Sequence, residues 1–164
     1  MIHFVGTNHE LQHSARPKRA AEALVVKARG EFQEYLRTQI KSLNPAVVAE
    51  ESVEELMNWM GTESTVKAIA DECGVKHLYC DLDSGTRTKL GVPIGSEHLT
   101  EEEKRKYHNI RERYWYRQIK PFSGQPVLFV CGANHIPSFR ALLSENECQV
   151  ETFFEYWGND IYGT

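Results

Sequence analysis

Apolar residues gather in five short runs, Ile2 to Val5, Ala46 to Ala49, His77 to Cys80, Val127 to Cys131 and Gln149 to Phe153. Runs of four or five apolar residues without alternation are what strands covered on both faces require. Between them the period changes. Phe32, Tyr35, Leu36, Ile40 and Leu43 recur every three or four residues, which predicts an amphipathic helix from about Gly30 to Leu43. Ser52-Val53-Glu54-Glu55 and Thr100-Glu101-Glu102-Glu103 have the spacing of capping boxes. The first predicts a helix through Met57 and Trp59, interrupted at Gly61 and resumed as far as Gly74. The second predicts a helix to about Ile119, stopped by Pro121. A last helix is expected from Ser138 to about Ser144.

Strands alternating with helices are the signature of right-handed parallel βαβ units. The expected fold is α/β: a three-layer α/β/α domain over residues 1–164 with a mainly parallel sheet of about five strands. Ser14 to Arg19, polar and interrupted by Pro17, reads as loop or a short separate helix. Residues 84–99, with Gly85, Gly91, Pro93 and Gly95, read as a long loop able to act as a lid. Residues 154–164 form an aromatic tail suited to packing on the core or on a second copy of the chain.

Composition narrows the picture little. A length of 164 residues with 41% hydrophobic content suits one compact domain, and 19 basic against 23 acidic residues leave a net charge of −4. So mild a balance gives no reason to expect nucleic acid as a partner. Cys73, Cys80, Cys131 and Cys148 form no C-x-x-C pair, which suggests reduced thiols and a cytoplasmic setting, with Cys131 a core residue and not a nucleophile. No stretch approaches the ~18 apolar residues of a membrane span, and no signal peptide is apparent at the start of the chain.

The candidate chemistry lies where parallel strands end, since βα loops there present polar groups on a rigid frame. Gly6-Thr7-Asn8-His9 and Gly132-Ala133-Asn134-His135 are nearly identical turns, each at the end of an apolar run. They are expected to meet, with His9 and His135 as working imidazoles and Gly6, Asn8, Gly132 and Asn134 as ligand-binding groups. Glu50 and Glu51 follow the second run directly, and alternation sends them to opposite faces of the sheet. Glu50 is the one favoured as facing the site. Asp81 is delivered to the same edge by the third run, with Asp83 beyond it. A helical wheel of the stretch after Thr100 places Tyr107, Ile110, Arg111, Tyr114 and Gln118 together, making Arg111 a cation among core-facing aromatics.

This ordered set resembles the superfamily of TraB, Tiki, ChaN and erythromycin-esterase-like proteins. The resemblance rests on the Gly6 to His9 turn, on Glu50 after Val47-Val48-Ala49, on Arg111-Glu112 with Trp115 where a Met is commoner, and on Val127 to His135 followed by Phe139, Leu142 and Leu143. It implies an α/β fold in which both histidines, the glutamate and the arginine line one active site, with hydrolytic activity in several branches and a metal in some.

Three functions fit these residues. In metal-assisted hydrolysis of a small molecule or peptide, His9, His135 and Glu50 would hold Zn²⁺, Mn²⁺ or Fe²⁺, and Arg111 would stabilise the oxyanion, with Glu51 and Glu112 as further catalytic candidates. A two-His, one-carboxylate set also suits non-haem iron. In a metal-free hydrolase one histidine is the general base. In a binding module the same groups capture a small polar or anionic ligand without turning it over.

Overall fold

In a computed structural model, described for residues 1–15, 22–95 and 98–158, the chain forms a three-layer α/β/α fold. The sheet comprises β1 (Ile2–Thr7), β2 (Val47–Glu50), β3 (His77–Tyr79), β4 (Val127–Gly132) and β5 (Val150–Trp157), ordered β3-β2-β4-β1-β5. Every pairing is parallel. The helices are α1 (Glu22–Leu43), α2 (Glu54–Met60), α3 (Thr65–Glu72), α4 (Ser84–Leu90), α5 (Glu101–Ile119) and α6 (Ile136–Glu145).

The apolar runs become strands because both sheet faces are covered. All six residues of β1 and of β4 are buried. Phe4, Val47, Ala49, Phe129 and Cys131 point to one face, against Trp115 and Ile119 of α5 and Phe139 and Leu143 of α6. Val5, Val48, Leu128 and Val130 point to the other, against Phe32, Leu36 and Ile40 of α1 and Val66 and Ile69 of α3. Strand residues of opposite parity therefore serve opposite layers, and this parity later separates Glu50 from Glu51.

Several boundaries differ from expectation for identifiable reasons. Helix α1 starts at Glu22, a further two turns before Gly30, because Val25 also reaches the core and an added Cβ at Gly30 would meet open space. The Thr100 capping box forms, with Thr100 accepting from the Glu103 N–H and Glu103 from the Thr100 N–H. The Ser52 box does not. Val53 is the N-cap of α2, without a side-chain bond, and Ser64 caps α3 by accepting from the Lys67 N–H at 3.0 Å. Residues 84–99 are not one loop: Asp83 caps α4, whose polar sequence buries no residue, and Gly91 ends it at φ +64°. The aromatic tail begins as strand, since β5 runs on to Trp157 through two register shifts against β1. Trp157 stacks on Tyr35 at 4.5 Å between ring centroids, so it packs on the chain's own α1. The segment expected over Ser14 to Arg19 lies mostly outside the described residues, as does 159–164. No described helix is long and apolar enough to cross a membrane.

Candidate active site

The site is built at the carboxyl edge of the sheet, on the α5 and α6 side. Glu51 follows β2 and shares its parity with Val47 and Ala49, so its carboxylate emerges beneath α5. Only 3% of its side chain is exposed. Arg111 Nη2 donates to Glu51 Oε1 at 2.5 Å, and the Gly132 N–H donates to Glu51 Oε2 at 2.7 Å. His135 Nε2 lies 3.3 Å and His9 Nε2 4.0 Å from Glu51 Oε1. The two histidines thus do meet, and what they meet on is Glu51.

Glu50 does not belong to this group. With the parity of Val48 it projects to the α1 and α3 side, where it is fully buried. There Ser64 Oγ donates to its Oε1 at 2.5 Å and His77 Nε2 lies 2.8 Å from the same oxygen, while Oε2 has no hydrogen-bond partner among the described residues. Glu50, expected to face the site, is therefore kept from it by its parity, and Glu51 is the carboxylate that reaches the histidines.

The twin turns are also less alike than their letters. Register pairs Gly6 with Cys131 and Thr7 with Gly132, so the two motifs are offset by one residue along the sheet. Gly6 is an internal residue of β1, and Asn8 starts a 3-10 turn (His9–Leu11) by accepting from the Glu10 N–H. Gly132 ends β4 and leads into a 3-10 turn (Ala133–His135) on which Asn134 is exposed. Gly132 has a steric reason to be glycine. A Cβ there would lie 2.7 Å from His9 Nε2 and 3.2 Å from Glu51 Oε2.

Each imidazole is held from behind. His135, 4% exposed, has its Nδ1 2.8 Å from Glu112 Oε1, an oxygen that also accepts from Ser138 Oγ at 2.6 Å. His9 Nδ1 lies 2.8 Å from Gln12 Oε1, and 60% of the His9 side chain is open to solvent. Both acceptors place the ring proton on Nδ1 and leave Nε2 as the nitrogen turned toward Glu51. Arg111 Nη1 lies 3.3 Å from His135 Nε2.

Arg111 is fixed from a second side by Asp81. Its Nε and Nη2 donate to the two Asp81 oxygens at 2.9 and 2.8 Å, a bidentate pair to which Arg87 and the Trp115 indole add further donors. Burial opposes the Asp81 charge, but Arg111 and Arg87 outweigh it and bring its pKa down to about 2. The same contest ends the same way for Glu51: desolvation would raise its pKa, and Arg111, His9 and His135 together lower it. Arg111 loses from burial and gains more from Glu51 and Asp81, so it stays charged. Asp83 is outside this network as the cap of α4. Cys131 is enclosed in the core, and burial first, then Glu51, raises its thiol pKa well above normal.

Helix α5 presents a different face from the one expected. The buried positions are Glu112, Trp115 and Ile119, with His108 and Arg111 along the same stripe, whereas Tyr107, Ile110, Tyr114 and Gln118 are only partly covered. Of this stripe the wheel places Arg111 alone on the inner face, since His108 and Glu112 carry no apolar signal. His108 was therefore missed, although its ring stacks on His135 at 4.1 Å between centroids. Its one sequence signal is the spacing His108, Arg111, Glu112, Trp115. Burial, with His135 and Arg111 beside it, lowers the His108 pKa.

The expected metal set does not fit. Glu50 is on the other face, and with Glu51 in its place the Arg111 guanidinium already contacts both Glu51 Oε1 and His135 Nε2. A second set fits by donor type: one ligand atom each from His108, Glu112 and His135 lie within 4.8 Å of one another. A cavity of about 200 Å³ opens beside Arg111 and His108. Comparison of the chain with protein-family models, curated proteins and solved structures finds no match.

Proposed function

We propose that the protein is a hydrolase of a small-molecule or peptide substrate, working through His9, Glu51, Arg111 and His135. The observation that carries this reading is the convergence of two imidazole Nε2 atoms and one guanidinium on the buried Glu51 oxygen, with each ring tethered at Nδ1. His9 is the accessible base: Nε2 takes a proton from water, Glu51 stabilises the imidazolium so formed, and Gln12 holds the ring in that tautomer. Arg111 offers the one N–H of Nη1 that Asp81, Glu51 and His135 leave unengaged to the oxygen that gains negative charge as water adds. His135, positioned by Glu112, keeps Arg111 and Glu51 in register. The resemblance to the TraB, Tiki, ChaN and erythromycin-esterase-like proteins implies the same two histidines and the same arginine, but Glu50 where this reading uses Glu51.

A metal-assisted form of the reaction is the second reading, favoured by the His108, Glu112 and His135 donor set. A Zn²⁺ or Mn²⁺ ion held there would lower the pKa of a bound water. His108, Glu112 and His135 would hold the ion, and Glu51, with its Oε1 3.3 Å from His135 Nε2, would help to orient that imidazole.

The test is a panel of ester, amide and peptide substrates assayed with chelator and with added Zn²⁺ or Mn²⁺, for the wild type and His9→Ala. The proposal expects turnover that His9→Ala lowers by about 10²–10⁴. Activity that survives chelator assigns the base mechanism, and activity that needs the ion assigns the second reading. Turnover untouched by His9→Ala would refute His9 as the base, and a folded protein inert across the panel would refute the hydrolase.

A further inference from the structure

The cavity of about 200 Å³ beside Arg111 has one wall made by α5 and another by the segment that follows Asp81. On α5 the lining residues are Lys104, Tyr107, His108 and Arg111, a spacing of three, four and seven that places all four on one face. The facing wall supplies Arg87 from α4 and Val92 just beyond it. Three permanent cations and an imidazole thus line one small space, and among the described residues no carboxylate lines it.

The balancing acids lie behind or outside. Asp81 Oδ2 accepts from Arg87 Nη2 at 2.6 Å and from Arg111 Nη2 at 2.8 Å, so one buried carboxylate holds both guanidinium groups side by side. Glu51 backs Arg111 from within the sheet edge, and Glu101, 80% exposed, meets Lys104 on the outer surface. Among the described residues Arg87 spends three of its five N–H groups, on Leu82 O, Pro93 O and Asp81. Two N–H groups of Arg87 and one of Arg111 meet no acceptor among the described residues, and the arginines are oriented before any ligand arrives.

We infer that this cavity binds an oxyanionic group of the substrate, a phosphate or a carboxylate, held by Arg87, Lys104 and Arg111. The inference deepens the hydrolase reading and rests on it only for the word substrate. Planar guanidinium groups match the paired oxygens of such anions, and a fixed pair loses little freedom on binding. The cavity is smaller than the ~300–1,000 Å³ of sites that enclose drug-sized ligands, so it suits the end of a small molecule. The anion would sit next to Arg111 and hence beside Glu51 and the two histidines.

Titration calorimetry with inorganic phosphate and, separately, sodium acetate tests this without any turnover, with acetamide as the neutral control. Wild type should bind at least one of the two anions and not acetamide, and which one binds identifies the group. Lys104→Glu, on the helix surface, and Arg87→Lys, which keeps the charge but loses the planar fork, should each weaken that binding at least about tenfold, with unchanged circular dichroism. Binding of neither anion, or binding indifferent to both substitutions, would overturn the inference. A protein that binds phosphate in this way yet hydrolyses nothing would leave the anion site standing and remove the hydrolase. One that hydrolyses neutral substrates without binding either anion would do the reverse.

Discussion

Glu50 and Glu51 are adjacent in the chain and live in different worlds. Glu50 is enclosed on the α1 and α3 side with Ser64 and His77, joining β2 to β3 and to the start of α3, with no permanent cation among the described residues bonded to it. Glu51 is enclosed on the α5 side by Arg111, two imidazoles and the Gly132 N–H, next to a cation-lined cavity. Burial alone does not mark a functional carboxylate, since both are nearly inaccessible. What distinguishes them is the company: one carboxylate ties elements together, and the other organises groups that can move protons and bind charge.

The histidines offer the largest contrast. His9→Ala should lower turnover by about 10²–10⁴ while stability shifts by no more than about 0.5 kcal/mol, because the ring is mostly exposed. His77→Ala should do the opposite, unfolding more readily in urea with kcat/KM kept within about twofold. Next in size is Glu51→Ala. It leaves Arg111 buried with Asp81 as its remaining carboxylate, and a loss of about 3 kcal/mol in denaturant-measured stability is expected.

Acid provides a smaller effect with a definite sign. The folded-state pKa of Asp81, about 2, is below its ordinary value of 3.8, so the native state holds its proton less tightly than the unfolded chain. The stabilisation, ~2 kcal/mol, is complete above about pH 4 and is lost as pH falls toward 2. Urea midpoints measured from pH 5 to pH 2 should show the fall in wild type and a shallower one in Asp81→Asn. Smallest is Ser64→Ala, which removes a helix cap and one bond to Glu50 and should cost ~1 kcal/mol with activity unchanged.

Much of the frame was readable from the chain. Parallel strands must be apolar on both faces, so Val127 to Cys131 could hardly be anything else, and Thr100 with Glu103 identified the start of α5. The meeting of His9 with His135 followed from their places at strand ends. Alternation separated Glu50 from Glu51, but which face α5 covers is a matter of tertiary packing that no local pattern carries. The wheel of α5 places Arg111 on the inner face and omits His108 and Glu112, whose positions depend on partners elsewhere in the chain. Helix α4 went unseen because it buries nothing and has no apolar period to detect.

The central claim, that Glu51 and not Glu50 serves the reacting groups, is tested most directly by comparing Glu50→Gln with Glu51→Gln, two near-isosteric changes one residue apart. Steady-state kinetics at neutral pH, on proteins shown to be folded by near-ultraviolet circular dichroism, should find Glu51→Gln reduced by about 10² or more in kcat/KM and Glu50→Gln close to wild type. Equal losses in the two variants, or a loss confined to Glu50→Gln, would contradict the assignment.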